Sequence, residues 1–549
     1  MKRKIILLAA LLGIGAYSAW AQAAAKYSWT NLPKAKVPSF KKDTFNIVKY
    51  GAIADGITLN TTSINAAITA CSTKGGGVVL IPQGLWLTGP IVLKSNVNLH
   101  VSRAALVQFT DDKRQYKLVE GNYEGHPAVR NESPLSGTNL ENIAITGDGI
   151  FDGHGEVWRA VGKDRVTDPE WKQLVASGGV VSNDGKTWSP SESYVKGNST
   201  KDATLIQPGK KLEDYADMKD FFRPNMVVFT NCKNVLLQGA TFQNSPAWCL
   251  HMLLCEDLTL KDVHVRNQWN AQNGDGIDAE SCRNVLIEGS TFDAGDDGIC
   301  IKSGRDAEGR KRGKPTENVV VRNNVVYRAH GGFVIGSEMS GGARNIFVTN
   351  CTFIGTDIGL RFKTVRGRGG IVENIFIKNI SMRDIVHEAI LFDMYYQTKA
   401  TSALGQKADI PAVNEGTPQF RNFYVSNVTC NGAEKAILVR GLPEMSIKGI
   451  HLENMTIKAD KGADLVEANN ISLKNITLDI KDQKQLIYVE NSSAITLDNI
   501  KSIKPTNLFL SINGDRSGKI ELLHTNTAGA KNKAEFNYSA DKNVLTEAK

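Results

Sequence analysis

The sequence predicts an all-β chain wound as a right-handed, single-stranded parallel β-helix with a short N-terminal capping helix. Three observations predict it. Short apolar strands recur along the chain, Asn or Gly punctuates them at fixed offsets, and Cys returns at one place in three successive repeats. The phrase reads NVLLQGATF from Asn234, NVLIEGSTF from Asn284, NVVVRNNVV from Asn318, NIFVTNCTF from Asn345, NIFIKNISM from Asn374 and NISLKNITL from Asn470. Its first apolar residues are Val235, Leu258, Val285, Val319, Ile346, Ile375, Phe423, Ile450, Ile471 and Ile495, spaced by 23, 27, 34, 27, 29, 48, 27, 21 and 24 residues. A β-rich repeat of this period is a solenoid, in which each coil buries its apolar face on the next. Leucine-rich repeats share the period but need a Leu-rich consensus and often a helix, and neither is present. Val, Ile, Thr and Phe in short runs suit stacked parallel strands instead.

The elements follow in order. Lys2, Arg3 and Lys4 precede an apolar run from Ile5 to about Ala16 and then small residues. This is the layout of a secretory signal peptide over 1–21, too short for a membrane span. Residues 22–44 are an N-terminal extension, and 45–549 one β-helix domain. Ile64, Ala67, Ile68 and Cys71 share one face of a helix over 61–72 that caps the open end of the stack, with the Thr/Ser cluster before them as its N-cap. Gly75, Gly76 and Gly77 end that helix, and Val78–Ile81 opens the first coil. Two polar segments, 155–220 and 394–416, break the rhythm and should emerge as loops walling a cleft, the first carrying Trp158, Trp171 and Trp188.

Composition narrows the classes. The 549 residues are 41% hydrophobic and 22% charged, which excludes disordered and collagen-like chains. Net charge is +8, and loss of the leader's three basic residues leaves +5, a mild preference for an acidic partner. Eight Cys without a C-x-x-C pair or zinc spacing do not form a disulfide framework or a metal site. Cys232, Cys255 and Cys282, each three residues before its repeat's reference position, should stack as buried thiols.

Ionisable residues fall in register. Asp296 and His330 each lie 11 residues after a reference position, and Asp297 adjoins the first. Asp275 lies 17 after Leu258, and Arg361 and Lys363 lie 15 and 17 after Ile346. Adjacent coils therefore gather three carboxylates, an imidazole and two cations within roughly 15 Å along the axis. Crowded carboxylates split their pKa values, giving a proton donor beside ionised neighbours, as glycoside hydrolysis requires. Arg361 and Lys363 alternate to one side of a strand and suit a carboxylate ligand.

Asn273-Gly274-Asp275, Gly295-Asp296-Asp297, Ala329-His330-Gly331 and Arg361-Phe362-Lys363, in that order, resemble the four motifs of glycoside hydrolase family 28, the polygalacturonases and related pectinases on a pectin lyase-like solenoid. The likeness runs from about Phe45 to residue 515 and takes in Gly149–Gly155 and Phe242–Pro246. It implies inverting hydrolysis of α-1,4-galacturonosidic bonds in pectin, more exo than endo. Asp297 would be the general acid, Asp275 and Asp296 would position and deprotonate water, and His330 would tune the acid. Asn273, Arg361, Lys363 and a tyrosine, Tyr395 in preference to Tyr396, would bind substrate. The carboxyl groups should stand roughly 6.5–9.5 Å apart to admit the water. Gly274, Ala329 and Phe362 depart from the family's Thr, Gly and Ile. Rhamnogalacturonan or xylogalacturonan is the alternative substrate; a Ca²⁺-dependent pectate lyase and a non-catalytic carbohydrate-binding β-helix are the alternatives of another class. The expected partner is a pectic polysaccharide or oligogalacturonide, with no metal, cofactor, nucleic acid or membrane span, in a monomer exported to the periplasm or beyond.

Overall fold

The computed structural model describes residues 27–398 and 410–548. The expected signal peptide and residues 399–409 of the second insertion lie outside the described residues. Residues 27–32 form a turn closed by backbone hydrogen bonds between Ser28 and Asn31. The body from Pro33 onward is the parallel β-helix that the repeats predict.

Ten reference positions form one column. Val235, Leu258, Val285, Val319, Ile346, Ile375, Phe423, Ile450, Ile471 and Ile495 pair in that order, strand to parallel strand. All ten are buried, so one stripe of Val, Ile, Leu and Phe builds this wall of the core. The residue before each is the corner. Asn234, Asn284, Asn318, Asn345, Asn374, Asn422 and Asn470 all have φ between 52° and 60°, a left-handed conformation that Asn tolerates better than most residues. Their amides join coil to coil: Asn318 donates to Asn284 (3.1 Å) and Asn345 to Asn318 (3.2 Å). A second ladder runs Asn379 to Asn350 (3.0 Å) and Asn427 to Asn379 (3.0 Å).

The opposite wall is a ladder of 14 parallel strands among the described residues, from Ile91–Val92 to Ala530–Asn537. Its inward column runs Val227, Leu250, Ile277, Ile299, Phe333, Leu360, Ile390 and Ile437. Alternate residues of these strands point outward, and this outer face carries the site.

A helix over Thr61–Thr73 closes the N-terminal end, burying Ile64, Ala67, Ile68 and Cys71 as expected. Its cap differs from the expectation. Asn60 is the N-cap and makes no side-chain cap bond, because its side chain ties Ile53, Thr58 and Leu87 together. Thr61 is engaged as well, accepting from the Gly89 N–H (2.6 Å).

The first insertion folds on itself. It holds helices over Asp168–Ala176 and Glu192–Ser199 and a small antiparallel sheet. Trp158 is fully buried edge-on to Tyr116, and Trp188 donates to the Gly178 carbonyl (2.7 Å). Both tryptophans anchor the insertion.

All eight cysteines are free and buried. Cys232, Cys255 and Cys282 stack as expected, donating to the carbonyls of Thr230, Phe229 and Met252 at 3.4, 3.3 and 3.1 Å. The hydrogen bond with Cys255 and burial push the Cys232 thiol far up. Thiol reagents are therefore expected to leave all eight unmodified in the native protein and to label them in urea. Labelling of Cys255 before unfolding, read by mass spectrometry, would contradict the buried ladder.

Candidate active site

Adjacent strands of the 14-stranded wall supply the site. Because Ile277 pairs with Ile299, Asp275 and Asp297 occupy equivalent positions one coil apart, and the Gly276 N–H donates to the Asp297 carbonyl (2.9 Å). His330 stands one coil beyond Asp296, its N–H donating to the Asp296 carbonyl (2.8 Å). One oxygen from each of Asp275, Asp296 and Asp297 lies within 4.8 Å of the others. The carboxylates are thus closer than the 6.5–9.5 Å expected from the usual two-carboxylate geometry. Register sets Asp275 one strand spacing, about 4.8 Å, from Asp297, and Asp296 adjoins Asp297 in the chain.

Asp297 is almost wholly buried, at 1% exposure. Lys363 Nζ donates to its Oδ2 (2.7 Å) and Arg361 Nη1 to its Oδ1 (3.1 Å). Burial alone would raise its pKa, but Lys363 and Arg361 overcome it and hold the carboxyl far below the ordinary range. Asp275 has the opposite environment. Burial, then the charges of Asp278 and Asp296, push it well up. The two neighbouring carboxyls are thus pushed in opposite directions, Asp275 up by burial and acids and Asp297 down by its two cations.

Asp296 is more open. Its Oδ1 pairs with His330 Nδ1 (3.1 Å), and that hydrogen bond raises the imidazole's pKa. Asp357 Oδ2 lies 3.7 Å from His330 Nε2. Asn273 is half-buried, and its Oδ1 accepts from Arg223 Nη2 (2.8 Å). Gly274, where Thr was expected, is required by space: a Cβ there would lie 2.7 Å from the Ala271 carbonyl oxygen.

The two candidate tyrosines are placed differently. Tyr395 is buried between the guanidinium groups of Arg366 and Arg440, 5.2 and 5.4 Å from its ring centre. Tyr396 instead lies beside the site's cations, its ring centre 4.9 Å from Lys363 Nζ and 5.7 Å from the Arg361 guanidinium. The chain leaves its strand at Asp393, so alternation no longer decides which of the two faces the site. Tyr396→Ala is expected to raise KM by about tenfold with stability intact, whereas Tyr395→Ala should cost about 3 kcal/mol of stability. Steady-state kinetics beside urea melts check both, and the reverse pattern would restore Tyr395.

Beneath the three aspartates lies a charge network that the sequence pattern did not reveal. Lys302 Nζ is 3.1 Å from Asp278, 3.6 Å from Asp275 and 3.6 Å from Glu338, and 3.7 Å from the centre of the Trp248 ring. The Lys302–Asp278 contact is an ion pair without hydrogen-bond geometry, since both Asp278 oxygens lack a hydrogen-bond partner. Burial raises Asp278 to about 6 despite Lys302. Further out, Glu280 accepts from Arg312 (2.6 Å) and pairs with His251 (2.9 Å), and against its burial these partners hold it at about 2.

A cleft of about 1070 Å³ opens beside this cluster. It runs from Arg159 and Trp188 of the first insertion, past Trp269 and Gln272, to His330 and Asp357. The same three aspartates have donor atoms close enough to hold a cation. Here Lys302 already meets Asp275, and Arg361 and Lys363 meet Asp297, so a divalent ion would have to compete with three fixed protein cations.

Closely packed carboxylates with opposed proton affinities, at the edge of a cleft on a β-helix, define a carbohydrate-cleaving hydrolase. Comparison with known proteins agrees. The family model "Glycosyl hydrolases family 28" matches residues 162–417. A probable polygalacturonase of Vitis vinifera is 26% identical, over 76% of this chain and 75% of that protein. An exo-poly-alpha-D-galacturonosidase of Dickeya chrysanthemi is 27% identical, over 79% of this chain and 70% of that protein. The crystal structure of a hyperthermoactive exopolygalacturonase from Thermotoga maritima superposes with a TM-score of 0.64 at 30% identity, over 83% of this chain and 94% of that one. The chain belongs to glycosyl hydrolase family 28, and it is a glycoside hydrolase.

Proposed function

We propose that this enzyme hydrolyses α-1,4-galacturonosidic bonds of polygalacturonate, releasing units from chain ends. The carrying observation is the placement of Arg361 and Lys363, which touch Asp297 and lie beside Tyr396. A uronate carboxylate in the cleft competes for these two cations. As they turn toward substrate, their hold on Asp297 weakens, burial takes over, and Asp297 gains a proton. Asp297 then protonates the leaving glycosidic oxygen as the C1–O bond breaks. Water attacks C1 from the opposite face and gives its proton to the pair Asp275 and Asp296. Oxygens of Asp275 and Asp296 lie within 4.8 Å of each other, close enough to grip one water at hydrogen-bond distance from each, which supports a water-holding role. His330, bonded to Asp296, positions that carboxylate. Asn273 would bind the sugar beside Asp275.

The first insertion along the cleft supports action at chain ends. Early digests of polygalacturonate are expected to contain monomer or dimer, with the new anomer inverted in proton NMR. A ladder of mixed oligomers would replace exo by endo action, and retained configuration would overturn the water assignment. An unsaturated, ultraviolet-absorbing product would make the protein a lyase. We further propose export through residues 1–21 and a monomeric state; the mass of the mature protein in solution checks both.

A further inference from the structure

Five Arg or Lys residues of the described chain are less than a tenth exposed: Arg130, Arg159, Lys302, Lys363 and Arg368. Three have acids: Lys302 meets Asp278, Lys363 meets Asp297, and Arg368 meets Asp306 at 2.6 Å. Arg130 and Arg159 have none within ion-pair distance among the described residues, and neither has their neighbour Arg223. A buried cation without an anion is costly, so such groups normally pair.

These arginines converge next to the reacting centre. Arg159 Nε (3.3 Å) and Arg223 Nη1 (2.8 Å) donate to the same Gln272 carbonyl oxygen. Arg159 Nη2 also reaches the Ser245 carbonyl (2.5 Å), and Arg223 Nη1 the Pro246 carbonyl (3.2 Å). Arg223 Nη2 holds Asn273, two residues before Asp275. Arg130 lies behind them, 4.8 Å over the Tyr123 ring with its Nη2 3.3 Å from Asn225 Oδ1. Burial and the charge of Arg223 push the Arg159 guanidinium down, and Glu156 opposes them only from beyond ion-pair distance. Arg159 and Gln272 line the cleft, so a guanidinium that no acid meets at ion-pair distance borders the space a ligand would fill. Glu156, which lines the same cleft, lies 3.6 Å from His154.

We propose that Arg159 and Arg223, with Arg130 behind them, form a second anion-binding pocket that takes the carboxylate of another uronic-acid unit, on the Asn273 side of the aspartates. Arg361 and Lys363 hold one substrate carboxylate and these arginines hold a second, so the polymer is fixed by charge on both sides of the reacting bond. This rests on the substrate reading given above. It explains why the guanidinium groups are anchored to backbone carbonyls, which fix their direction without neutralising them.

Three trigalacturonates, each methyl-esterified on a different unit, would test it beside the free acid. In the wild type, esterification at two positions is expected to raise KM by about tenfold or more, and at the third to change little. Arg223→Gln should abolish one of those two penalties and keep the other. Arg159→Gln should abolish the same one. The ratio of ester to free acid is insensitive to a general loss of active protein, so a partly unfolded variant still reports. Wild-type hydrolysis with both penalties unchanged in both variants would overturn the arginine pocket alone. No hydrolysis of trigalacturonate by the wild type would overturn the substrate reading, and the pocket with it.

Discussion

Asp297→Asn is expected to lower kcat on polygalacturonate by ~10³-fold, the usual contribution of a positioned proton donor. The amide keeps the shape of the carboxyl and still accepts from Lys363 or Arg361, so the coils should remain stacked. What it loses is the ability to carry a proton to the leaving oxygen. It also leaves two buried cations without their acid, which costs about 3 kcal/mol. Kinetics must therefore be read where circular dichroism shows the variant folded. Burial and the neighbouring acids push the Asp275 carboxyl up, which gives this experiment its edge. If Asp275 were the donor, Asp297→Asn would keep a tenth or more of the activity and Asp275→Asn would abolish it. That outcome would exchange the two roles.

Lys302→Met should destabilise the protein by about 3–5 kcal/mol near pH 8, because it removes the cation shared by Asp275, Asp278 and Glu338. The loss should depend on pH in a defined direction. Without Lys302, these buried carboxyls have folded pKa values raised above the unfolded value of about 4. The folded state then binds more protons than the unfolded one between those limits, and stability falls as pH rises through that window. In the wild type Lys302 opposes this, holding Glu338 ionised and restraining Asp278. Urea midpoints at pH 5 and pH 8 would show the variant's deficit small at the lower pH and large at the higher. An equal deficit at both would mean that Lys302 acts through packing on Trp248 rather than through charge.

Much of this architecture was legible because the repeat is strict. A column of ten apolar residues read from spacing pairs strand to strand without a slip, since a one-residue error would turn every side chain outward. Asp296 and His330 were found the same way, their coils having equal lengths between the reference strand and the turn. Asp275 has a different offset because residues 267–274 lengthen its coil, and only its motif disclosed it. Lys302, Asp278 and Glu280 were missed for another reason. Alternation assigns them to the outer face of their strands, where charge is ordinarily solvated. Glu280 is covered where the helix Asp306–Arg312 brings Arg312 onto it, and Lys302 lies under the Trp248 ring. Nothing local announces such a cover. The unpaired arginines were invisible too, because a missing counter-ion is a property of space and not of sequence.

The three clustered aspartates stand in the middle of the stack, with five more coils beyond Asp393, the last of them Ala530–Asn537. In a linear array each coil is supported only by its neighbours, so thermal opening begins at the termini and travels inward. Amide exchange should accordingly be fastest in the final coils and slowest near Ile277 and Ile299. The end coils act as sacrificial insulation: they can fray and re-zip many times while the spacing of the three carboxylates stays fixed.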